Sequence, residues 1–322
     1  MKAIVRSRYG SADVLRFTDV PDPVPGDGEV LVRVRATSIN TADLDNLRGK
    51  PAVSRLMTGL TKPKSPTLGL DVAGEVVEVG PGVTTLQPGD RVWGDVYGRF
   101  GAFAEYVSAP ARVFSRFPDE LDFETAATAP HSAVLALQAL DGKGRIEPGS
   151  RVLVNGAGGC VGPFAIQLAK AFGAEVTGVD HTDKLELMTR AGADHVVDYT
   201  RTDITRSGER YDLIVDMAAT RSVFRFRRIL RRHGAYVLIA ATMAGFVQAA
   251  VGGALVSALG TKRMGVFGWA PSKAEDLATL GTMMITGEVR PIIDRVYTLE
   301  SVPEAIGYLA SGRARGKLLV RV

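Results

Sequence analysis

The feature that most constrains this chain is a short apolar run that leads into a cluster of glycines. Residues 152–155 read Val-Leu-Val-Asn, and Gly156, Gly159 and Gly162 follow at three-residue spacing. Residues 161–172 then place apolar side chains at helical spacing. Glycines let a backbone approach a pyrophosphate closely, and a helix start offers N–H groups and a positive dipole end. The pattern therefore predicts a strand, a dinucleotide-binding turn and a helix; a glycine turn kept only for helix–strand packing is the alternative.

The turn and the strand after it supply candidate cofactor contacts. In the turn they are Gly156, Ala157, Gly159, Cys160 and Val161. A redox role for Cys160 is conceivable, although a small packing residue is the simpler interpretation. Asp180 ends the next predicted strand, where a carboxylate can bind both ribose hydroxyls and repel a 2′-phosphate, which favours NADH over NADPH. Against this, Lys184 and Tyr199 could hold a phosphate, and Asp180 could instead be a helix N-cap.

Strand and helix patterns divide the chain into two parts. Short strands separated by glycine and proline, up to about residue 122, predict a compact barrel-like β domain. Strands and helices then alternate as far as residue 239, which predicts a doubly wound parallel sheet. The apolar strand at 318–322 is expected to return to the first domain. We predict an α/β protein in which residues 1–122 and 270–322 form the β domain and residues 123–269 form the domain with the doubly wound parallel sheet.

Composition excludes several other classes of protein. A net charge of +4 over 322 residues is far from the concentrated basic excess of a dedicated nucleic-acid binder, so no nucleic-acid partner is expected. The single cysteine excludes an internal disulfide, and four histidines leave little material for a His-built metal site. Residues 234–261 carry no charge, but their Ala- and Gly-rich composition favours a buried strand followed by an apolar loop or helix. With no targeting segment in view, we expect a cytoplasmic protein without a membrane partner.

Six short motifs occur in order along the chain. They are Ser-Ile-Asn-Thr-Ala-Asp at 38–43 with Arg48 downstream, Gly-Leu-Asp-Val-Ala-Gly-Glu-Val at 69–76, Gly-Asp-Arg-Val at 89–92, Gly-Ala-Phe-Ala-Glu-Tyr at 101–106, the loop at 156–162, and Arg-Gly-Lys at 315–317. Together they resemble the zinc-independent medium-chain dehydrogenases/reductases of the quinone oxidoreductase branch. The resemblance implies a GroES-like β-barrel catalytic domain, a Rossmann domain, an NAD(P)H cofactor and a homodimer joined through 264–269.

The same resemblance shows where this chain departs from related enzymes. Zinc-dependent alcohol dehydrogenases have a Cys near the position of Asn40 and a His-Glu pair in place of Leu70-Asp71. Zinc catalysis needs three protein ligands and an open position, so no metal is predicted. Quinone reductases commonly have a Thr beside the nicotinamide where this chain has Leu135, and Ser132 is the nearby candidate.

Three further positions are implied to lie near the cofactor. The resemblance places backbone groups at Ala240 and Phe267 by the nicotinamide, at the carboxyl ends of late strands. Lys317 matches the terminal Gly-Lys of the family and is a candidate to close over the cofactor. A solvated surface lysine is the alternative for Lys317.

Three residues are candidates for the chemistry itself. Charge builds on a substrate oxygen after hydride transfer, and Asn40 is the first candidate to donate a hydrogen bond there; a turn residue is its alternative. Asp43 is expected to orient neighbouring groups, with a plain helix cap as its alternative. Tyr97 could protonate an enolate, although a packed aromatic is its more common role.

An arginine-rich segment leaves a second class of function open. Arg221, Arg225, Arg228 and Arg232 fall at helical spacing, which predicts one basic helix face. That face is expected to be solvated, and binding of a polyanion such as RNA, with little turnover, is the alternative.

We predict a reductase of quinones or other activated carbonyl or alkene compounds, with a small apolar or quinone-like substrate; an enoyl-thioester or alkenal reductase is the enzymatic alternative.

Overall fold

The computed structural model describes residues 1–141, 146–219, 221–240, 242–271 and 273–322. These residues form two compact units. The first comprises Met1–Val134, Pro271–Thr286 and Ile293–Val322, and the second comprises Leu135–Ala270 and Gly287–Ile292.

Strands occur in both units. In chain order they are β1 (Lys2–Val5), β2 (Arg16–Asp19), β3 (Glu29–Ile39), β4 (Asp71–Val79), β5 (Arg91–Asp95), β6 (Tyr106–Pro110), β7 (Phe114–Arg116), β8 (Arg151–Asn155), β9 (Glu175–Asp180), β10 (His195–Asp198), β11 (Tyr211–Asp216), β12 (Leu230–Leu238), β13 (Arg263–Val266), β14 (Ile293–Thr298) and β15 (Lys317–Arg321).

Helices connect and cover these strands. They are α1 (Thr41–Arg48), α2 (Arg55–Thr58), α3 (Phe123–Ala126), α4 (Ser132–Asp141), α5 (Gly162–Ala171), α6 (Leu185–Arg190), α7 (Val223–Ile229), α8 (Met243–Val247), α9 (Gly253–Leu259), α10 (Ala274–Thr286) and α11 (Val302–Ala310). A π-helical turn, Gln248–Gly252, joins α8 to α9.

A seven-stranded sheet forms the centre of the first unit. Its strands lie in the order β14-β15-β3-β4-β5-β7, and β6 adds to it by pairing with β3. Strand β3 alternates, because Val30, Val32 and Val34 lie in an apolar core while Arg33 and Arg35 are exposed. Strand β15 pairs with β3 and β14, which confirms that the C-terminal strand returns to this unit.

A six-stranded sheet in the order β10-β9-β8-β11-β12-β13 forms the centre of the second unit. All five pairings in it are parallel, which confirms the predicted doubly wound sheet. Its central strands β8 and β11 carry apolar runs at 152–154 and 213–215, because helices cover both faces of such a sheet. The carboxyl ends of β8, β9, β11 and β12 therefore meet at one edge, and the residues that follow them lie close together.

The predicted arginine face on one helix is wrong. Helix α7 ends at Ile229, and Leu230 already has extended backbone angles because it pairs with Tyr211 of β11. Arg232 consequently lies on β12, away from the helix that carries Arg225 and Arg228. On the helical side, Nη1 of Arg225 lies 3.2 Å from a carboxylate oxygen of Asp203.

The uncharged stretch at 234–261 resolves into the end of β12 and the helical run 243–259. Among the described residues, no helix combines the length and the apolar character needed to cross a bilayer. The last strand of the sheet covers Arg263–Val266, so residues 267–269 of the segment implied to join the homodimer follow it.

Candidate active site

The first unit buries a group of polar side chains, which we call the polar cluster. Its members are Ser38, Asn40, Asp43, Asp71, Asp95, His131, Ser132 and Lys317, all at most 7% exposed. The fold brings them together through strand ends: Asp71 begins β4, Asp95 ends β5, and the two residues are partners in the β4–β5 register. Burial of this many polar groups is costly unless each is hydrogen-bonded, so their contacts define the cluster.

Asn40 lies at the centre of the polar cluster. Its Oδ1 accepts hydrogen bonds from Ser132 Oγ at 2.8 Å and Lys317 Nζ at 2.7 Å. Its Nδ2 donates to Asp71 Oδ2 at 2.8 Å and towards Ser38 O at 3.5 Å. An ammonium can only donate, so Lys317 fixes which end of the amide is the oxygen. The donor role towards a substrate stays a prediction, since in this arrangement both amide hydrogens are directed to protein acceptors.

Lys317 and Asp71 form the buried ion pair of the cluster, with Nζ 3.3 Å from Oδ2. The ammonium also donates to Ser132 Oγ at 3.2 Å. Asp71 in turn accepts from Ser38 Oγ and, at 2.7 Å, from the His131 amide. Lys317 is 1% exposed, so the alternative of a solvated surface lysine is wrong. The ammonium holds three side chains of the first unit, and its closure over a cofactor stays a prediction.

His131 and Asp95 form a second buried pair, which reaches Tyr97. His131 Nδ1 lies 2.8 Å from Asp95 Oδ2, and the Tyr97 amide donates to Asp95 Oδ1 at 2.9 Å. Burial lowers the pKa of His131, but the Asp95 carboxylate outweighs it and the net pKa is raised. The Tyr97 ring stacks on His131 with centroids 6.5 Å apart and is 51% exposed. Burial and the Asp95 charge raise the pKa of Tyr97, so its hydroxyl keeps its proton at neutral pH.

Asp43 supports the cluster from helix α1. One carboxylate oxygen accepts from the Asn40 amide at 2.8 Å, and the other accepts from the Gly69 amide at 3.2 Å. The first contact is a helix cap, which was the alternative for Asp43, and the second ties α1 to the loop before β4; an orienting role in the chemistry stays a prediction. Burial raises the pKa of Asp43 to about 7.

This raised pKa predicts a loss of stability as pH rises. Between pH 4 and 7 the folded protein keeps a proton on Asp43 that the unfolded chain releases from a group with pKa 3.8. The free energy of unfolding should therefore fall across that window, by at most about 1.4 kcal/mol per pH unit. Urea unfolding of wild type and Asp43→Asn at several pH values measures this. The variant should show a shallower decline, and an equal slope in both proteins would contradict the assignment.

The predicted strand–turn–helix is present in the second unit as β8, the loop 156–161 and α5. Gly156 has φ +86°, which favours glycine, and a Cβ on Gly162 would lie 2.2 Å from Ala157 O. A Cβ on Gly159 would meet only Gly156 O at 3.4 Å, so the loop surface is open there. Cys160 is buried within the loop, as expected of a packing residue.

Hydrogen bonds within the loop determine which of its amides are left to bind a pyrophosphate. The amides of Gly156 and Ala157 donate to Val179 O, and the Gly159 amide donates to Gly156 O. The first turn of a helix leaves amides without intrahelical partners, and here that turn follows Val161. The residues present fit a dinucleotide: the missing side chain at Gly159 leaves the loop open to a close approach, and the start of α5, apart from Pro163, which has no amide hydrogen, offers donors.

Asp180 lies at the end of β9, next to this loop. Its Oδ2 accepts from the Gly158 amide at 2.8 Å, its Oδ1 accepts from the His181 amide at 2.7 Å, and Lys184 Nζ lies 3.9 Å away. The N-cap alternative for Asp180 is wrong, because the His181 ring accepts from the Asp183 amide and caps the following turn. Tyr199 is 40% exposed, and its amide donates to Asp180 O.

Sequence reasoning missed several buried residues at the strand ends of both units. In the first unit these are the acids Asp71 and Asp95 and their partner His131. In the second unit, Asp216 accepts from Asn155 Nδ2 and the Tyr236 hydroxyl, each at 2.7 Å. Acidic residues at the ends of apolar strands were the available signal, since a carboxylate there needs buried partners.

Two predicted cofactor contacts follow late strands of the parallel sheet. Ala240 lies two residues after β12, and Phe267 follows β13 directly, with its amide donating to Leu238 O at 2.8 Å. Both lie on the carboxyl side of their strands, where ligands bind in such sheets. Within the described ranges, no three His, Cys, Asp or Glu side chains are grouped so that they could hold a metal ion.

Comparisons with known proteins agree over the whole chain. Residues 26–119 match the family profile described as the alcohol dehydrogenase GroES-like domain, and residues 191–320 match the one described as zinc-binding dehydrogenase. Mouse mitochondrial NAD(P)H oxidoreductase RTN4IP1 is 32% identical over 100% of this chain and 89% of its own length. The chloroplastic NADPH-dependent alkenal/one oxidoreductase of Arabidopsis thaliana is 32% identical over 99% of this chain and 79% of its own length. The quinone oxidoreductase structure from Coxiella burnetii superposes with a TM-score of 0.90 at 27% identity, over 100% of this chain and 99% of that one.

Proposed function

Because the chain belongs to the medium-chain dehydrogenase/reductase family, in its quinone oxidoreductase branch, we propose that it transfers a hydride from NAD(P)H to a quinone or another activated carbonyl or alkene, without zinc. The observation that carries this proposal is the loop 156–161 with the start of α5, whose shape and donors fit a pyrophosphate. The reduced nicotinamide, once bound, supplies the hydride.

The polar cluster contributes hydrogen-bonding groups for this reaction. Asn40 and Ser132 are held in fixed orientations by Lys317 and Asp71, so the cluster is organised before any substrate binds. Tyr97, whose ring stacks on His131 of the second pair, is 51% exposed and carries a protonated hydroxyl. We propose that Tyr97 delivers the proton that completes reduction of an alkene or carbonyl.

Tyr97→Phe tests this proton donor. The variant should lower kcat for an alkenal by about 100-fold, since a positioned general acid contributes that order of rate. Tyr106→Phe is the matched control, because the Tyr106 hydroxyl accepts from the exposed side chain of Arg33. Steady-state kinetics that give equal kcat values for Tyr97→Phe and wild type would remove Tyr97 from the mechanism.

The proposed reaction is tested by oxidation of NADH and NADPH with a panel of quinones, alkenals and enoyl thioesters, with and without a chelator. Turnover of a quinone or alkenal that persists in chelator is the expected result. Turnover confined to enoyl thioesters would favour the alternative substrate class. Turnover that the chelator abolishes would contradict the metal-free mechanism.

We further propose that NADH is preferred over NADPH. The support is Asp180, a 9% exposed carboxylate at the end of β9, whose nearest cation is Lys184 at 3.9 Å. A 2′-phosphate brought to this strand end would meet that negative charge. Lys184 and Tyr199 would oppose this preference if their side chains held the 2′-phosphate of NADPH.

Asp180→Asn should shift the ratio of kcat/KM for NADPH to that for NADH upwards by about 10-fold, because it removes one like charge while keeping an acceptor for the Gly158 amide. Asp183→Asn, one turn further along the chain, is the matched control. A wild-type preference for NADPH, or an unchanged ratio in the variant, would contradict this role of Asp180.

We propose that two copies associate through β13, which is an edge strand of the parallel sheet. Light scattering of the purified protein tests this, and a monomer at micromolar concentration would refute it.

We also propose that the protein is cytoplasmic. The single cysteine supports this compartment, because a lone cysteine cannot form an internal disulfide.

A further inference from the structure

Strand β11 ends in a buried carboxylate to which the proposed reaction assigns no role. Asp216 is 0% exposed. Among the residues that the structure describes, its hydrogen-bond donors are all neutral: Asn155 Nδ2 and the Tyr236 hydroxyl, each at 2.7 Å, and the amides of Ala218 and Ala219 at 3.1 and 2.9 Å. Burying a carboxylate is costly, so these four hydrogen bonds are what keeps Asp216 in place.

Two of these bonds fix the turn that follows the strand, residues 216–219, which we call the Asp216 turn. Asp216 Oδ1 accepts from the successive amides of Ala218 and Ala219. Ala219 has φ +45°, in the left-handed region that residues other than glycine rarely adopt, so its conformation persists only where neighbouring contacts hold it. The Met217 amide donates to a carbonyl oxygen at the end of β8 at 2.9 Å. Asp216 therefore holds a strained piece of backbone next to β8.

The Asp216 turn lies beside the glycine loop at the switch point of the parallel sheet. The chain runs from β8 through β9 to β10 on one side of β8, and β11 pairs with its other side. Ligands of such sheets bind in the crevice at this switch point. The loop and the turn are in contact, because a Cβ on Gly156 would lie 3.3 Å from Ala218 Cβ and 3.4 Å from the Ala218 nitrogen. Ala218 is itself exposed, so a ligand on the loop can also reach the turn.

The order of the strands determines which half of a dinucleotide would meet this turn. Asp180, the proposed partner of the adenosine ribose, ends β9 on the other side of β8. A dinucleotide whose pyrophosphate lies at the start of α5 therefore extends its nicotinamide half towards the ends of β11 and β12. Tyr236 of β12 supports Asp216 from that side. Burial and the charge of Asp216 raise the pKa of Tyr236, so its hydroxyl remains a donor.

We propose that Asp216 is a positioning residue for the nicotinamide half of the cofactor. Asp216 does not touch the cofactor; it holds the backbone of Ala218 and Ala219 in the conformation that the nicotinamide ribose contacts. This inference rests on the proposed function, because it requires a dinucleotide on the glycine loop. It adds a buried residue that controls how the reactive half of that dinucleotide is held.

Binding of a cofactor fragment separates the two halves of the site. ADP contains the adenosine and the diphosphate but no nicotinamide, so calorimetric titration of the purified protein with NADH and with ADP tests each half. Asp216→Ala removes the acceptor of both turn amides and should raise the dissociation constant of NADH at least about 10-fold, as expected for the loss of one or two hydrogen bonds. The dissociation constant of ADP should change less than about 2-fold.

Three variants distinguish positioning from general damage. Asp216→Asn keeps an acceptor oxygen for the two amides and should bind NADH within about 3-fold of wild type. Ala218→Leu fills the exposed position of the turn without changing the buried network, and should weaken NADH at least about 10-fold while ADP binding is kept. Asp212→Ala is the matched control, because Asp212 lies at the other end of β11, pairs with Arg231 and should leave both affinities unchanged. Urea unfolding without cofactor confirms that each variant is folded.

Equal losses of NADH and ADP affinity in Asp216→Ala, or an unchanged NADH affinity, would overturn this inference. If Asp216→Ala does not fold, Ala218→Leu provides the test: a selective loss of NADH affinity supports the inference, and wild-type affinity for NADH rejects it. A wild-type protein that binds neither NADH nor ADP would contradict the proposed function itself, since the glycine loop would then hold no dinucleotide.

Discussion

Replacing Lys317 by methionine is expected to lower the free energy of unfolding by about 3–5 kcal/mol, because it leaves a buried carboxylate without its cation. The Lys317 ammonium contacts Asp71, Asn40 and Ser132, and none of the four residues is more than 1% exposed. Removing the charge leaves the buried Asp71 Oδ2 with only the neutral donors Ser38 Oγ and Asn40 Nδ2, and the Asn40 carbonyl oxygen with only Ser132 Oγ. Urea unfolding of the cofactor-free protein gives the measurement.

Two further variants show that the effect comes from the ion pair. Arg321→Met removes a cation from the same strand, but Arg321 pairs with Glu124 at the surface and should cost less than about 1 kcal/mol. Asp71→Asn in the Lys317→Met background should recover part of the loss, since it removes the unpaired charge. If Lys317→Met costs no more than Arg321→Met, Lys317 does not stabilise the polar cluster.

Local patterns in the sequence predicted the parts of the fold that depend on few residues. The strand β8, its glycine turn and α5 follow from a pattern spanning about twenty residues, because glycine spacing and helical periodicity act locally. The return of β15 to the first unit was predicted from its position after the alternating segment. Both features can therefore be recognised from the order of residue types along the chain.

The polar cluster could be predicted only in part, because long-range pairing assembles it. Asn40, Asp43, Ser132 and Lys317 were each singled out, but not as contacts of one another. The meeting of Asp71 with Asp95 depends on the β4–β5 register, which a single sequence does not reveal. The unexpected position of Lys317 has the same cause, since pairing of β15 with β3 carries its ammonium to Asn40.

The error at Arg232 shows tertiary structure overriding a local pattern. Arginines at 221, 225, 228 and 232 fit helical spacing throughout, yet the chain leaves the helix at Leu230. Pairing of β12 with β11 begins at that residue and satisfies backbone groups that a longer helix would otherwise hold. Helical spacing of exposed side chains contributes little to the free energy of folding compared with those sheet contacts.

The contrast between two alanine substitutions in the glycine loop should separate folding from cofactor binding. Gly162→Ala places a Cβ 2.2 Å from Ala157 O and 2.6 Å from Ala157 Cα, so the loop backbone must move. We expect it to lower the free energy of unfolding of the cofactor-free protein by about 1–3 kcal/mol. Gly159→Ala meets only Gly156 O at 3.4 Å and should change that free energy by less than about 0.5 kcal/mol.

Cofactor affinity should respond differently from stability in these variants. A methyl group on Gly159 fills the open surface of the loop, so it should raise the dissociation constant of the dinucleotide at least about 10-fold although the protein remains stable. Fluorescence titration with NADH or NADPH measures the affinity, and urea unfolding without cofactor measures the stability. If Gly159→Ala binds the cofactor as tightly as wild type, the pyrophosphate does not lie on this loop. A cofactor-free Gly162→Ala as stable as wild type would mean that Ala157 and Gly162 are not in close contact. If Gly159→Ala loses cofactor affinity but keeps its stability, Gly159 contacts the cofactor. Gly162 then serves the packing of the loop rather than cofactor binding.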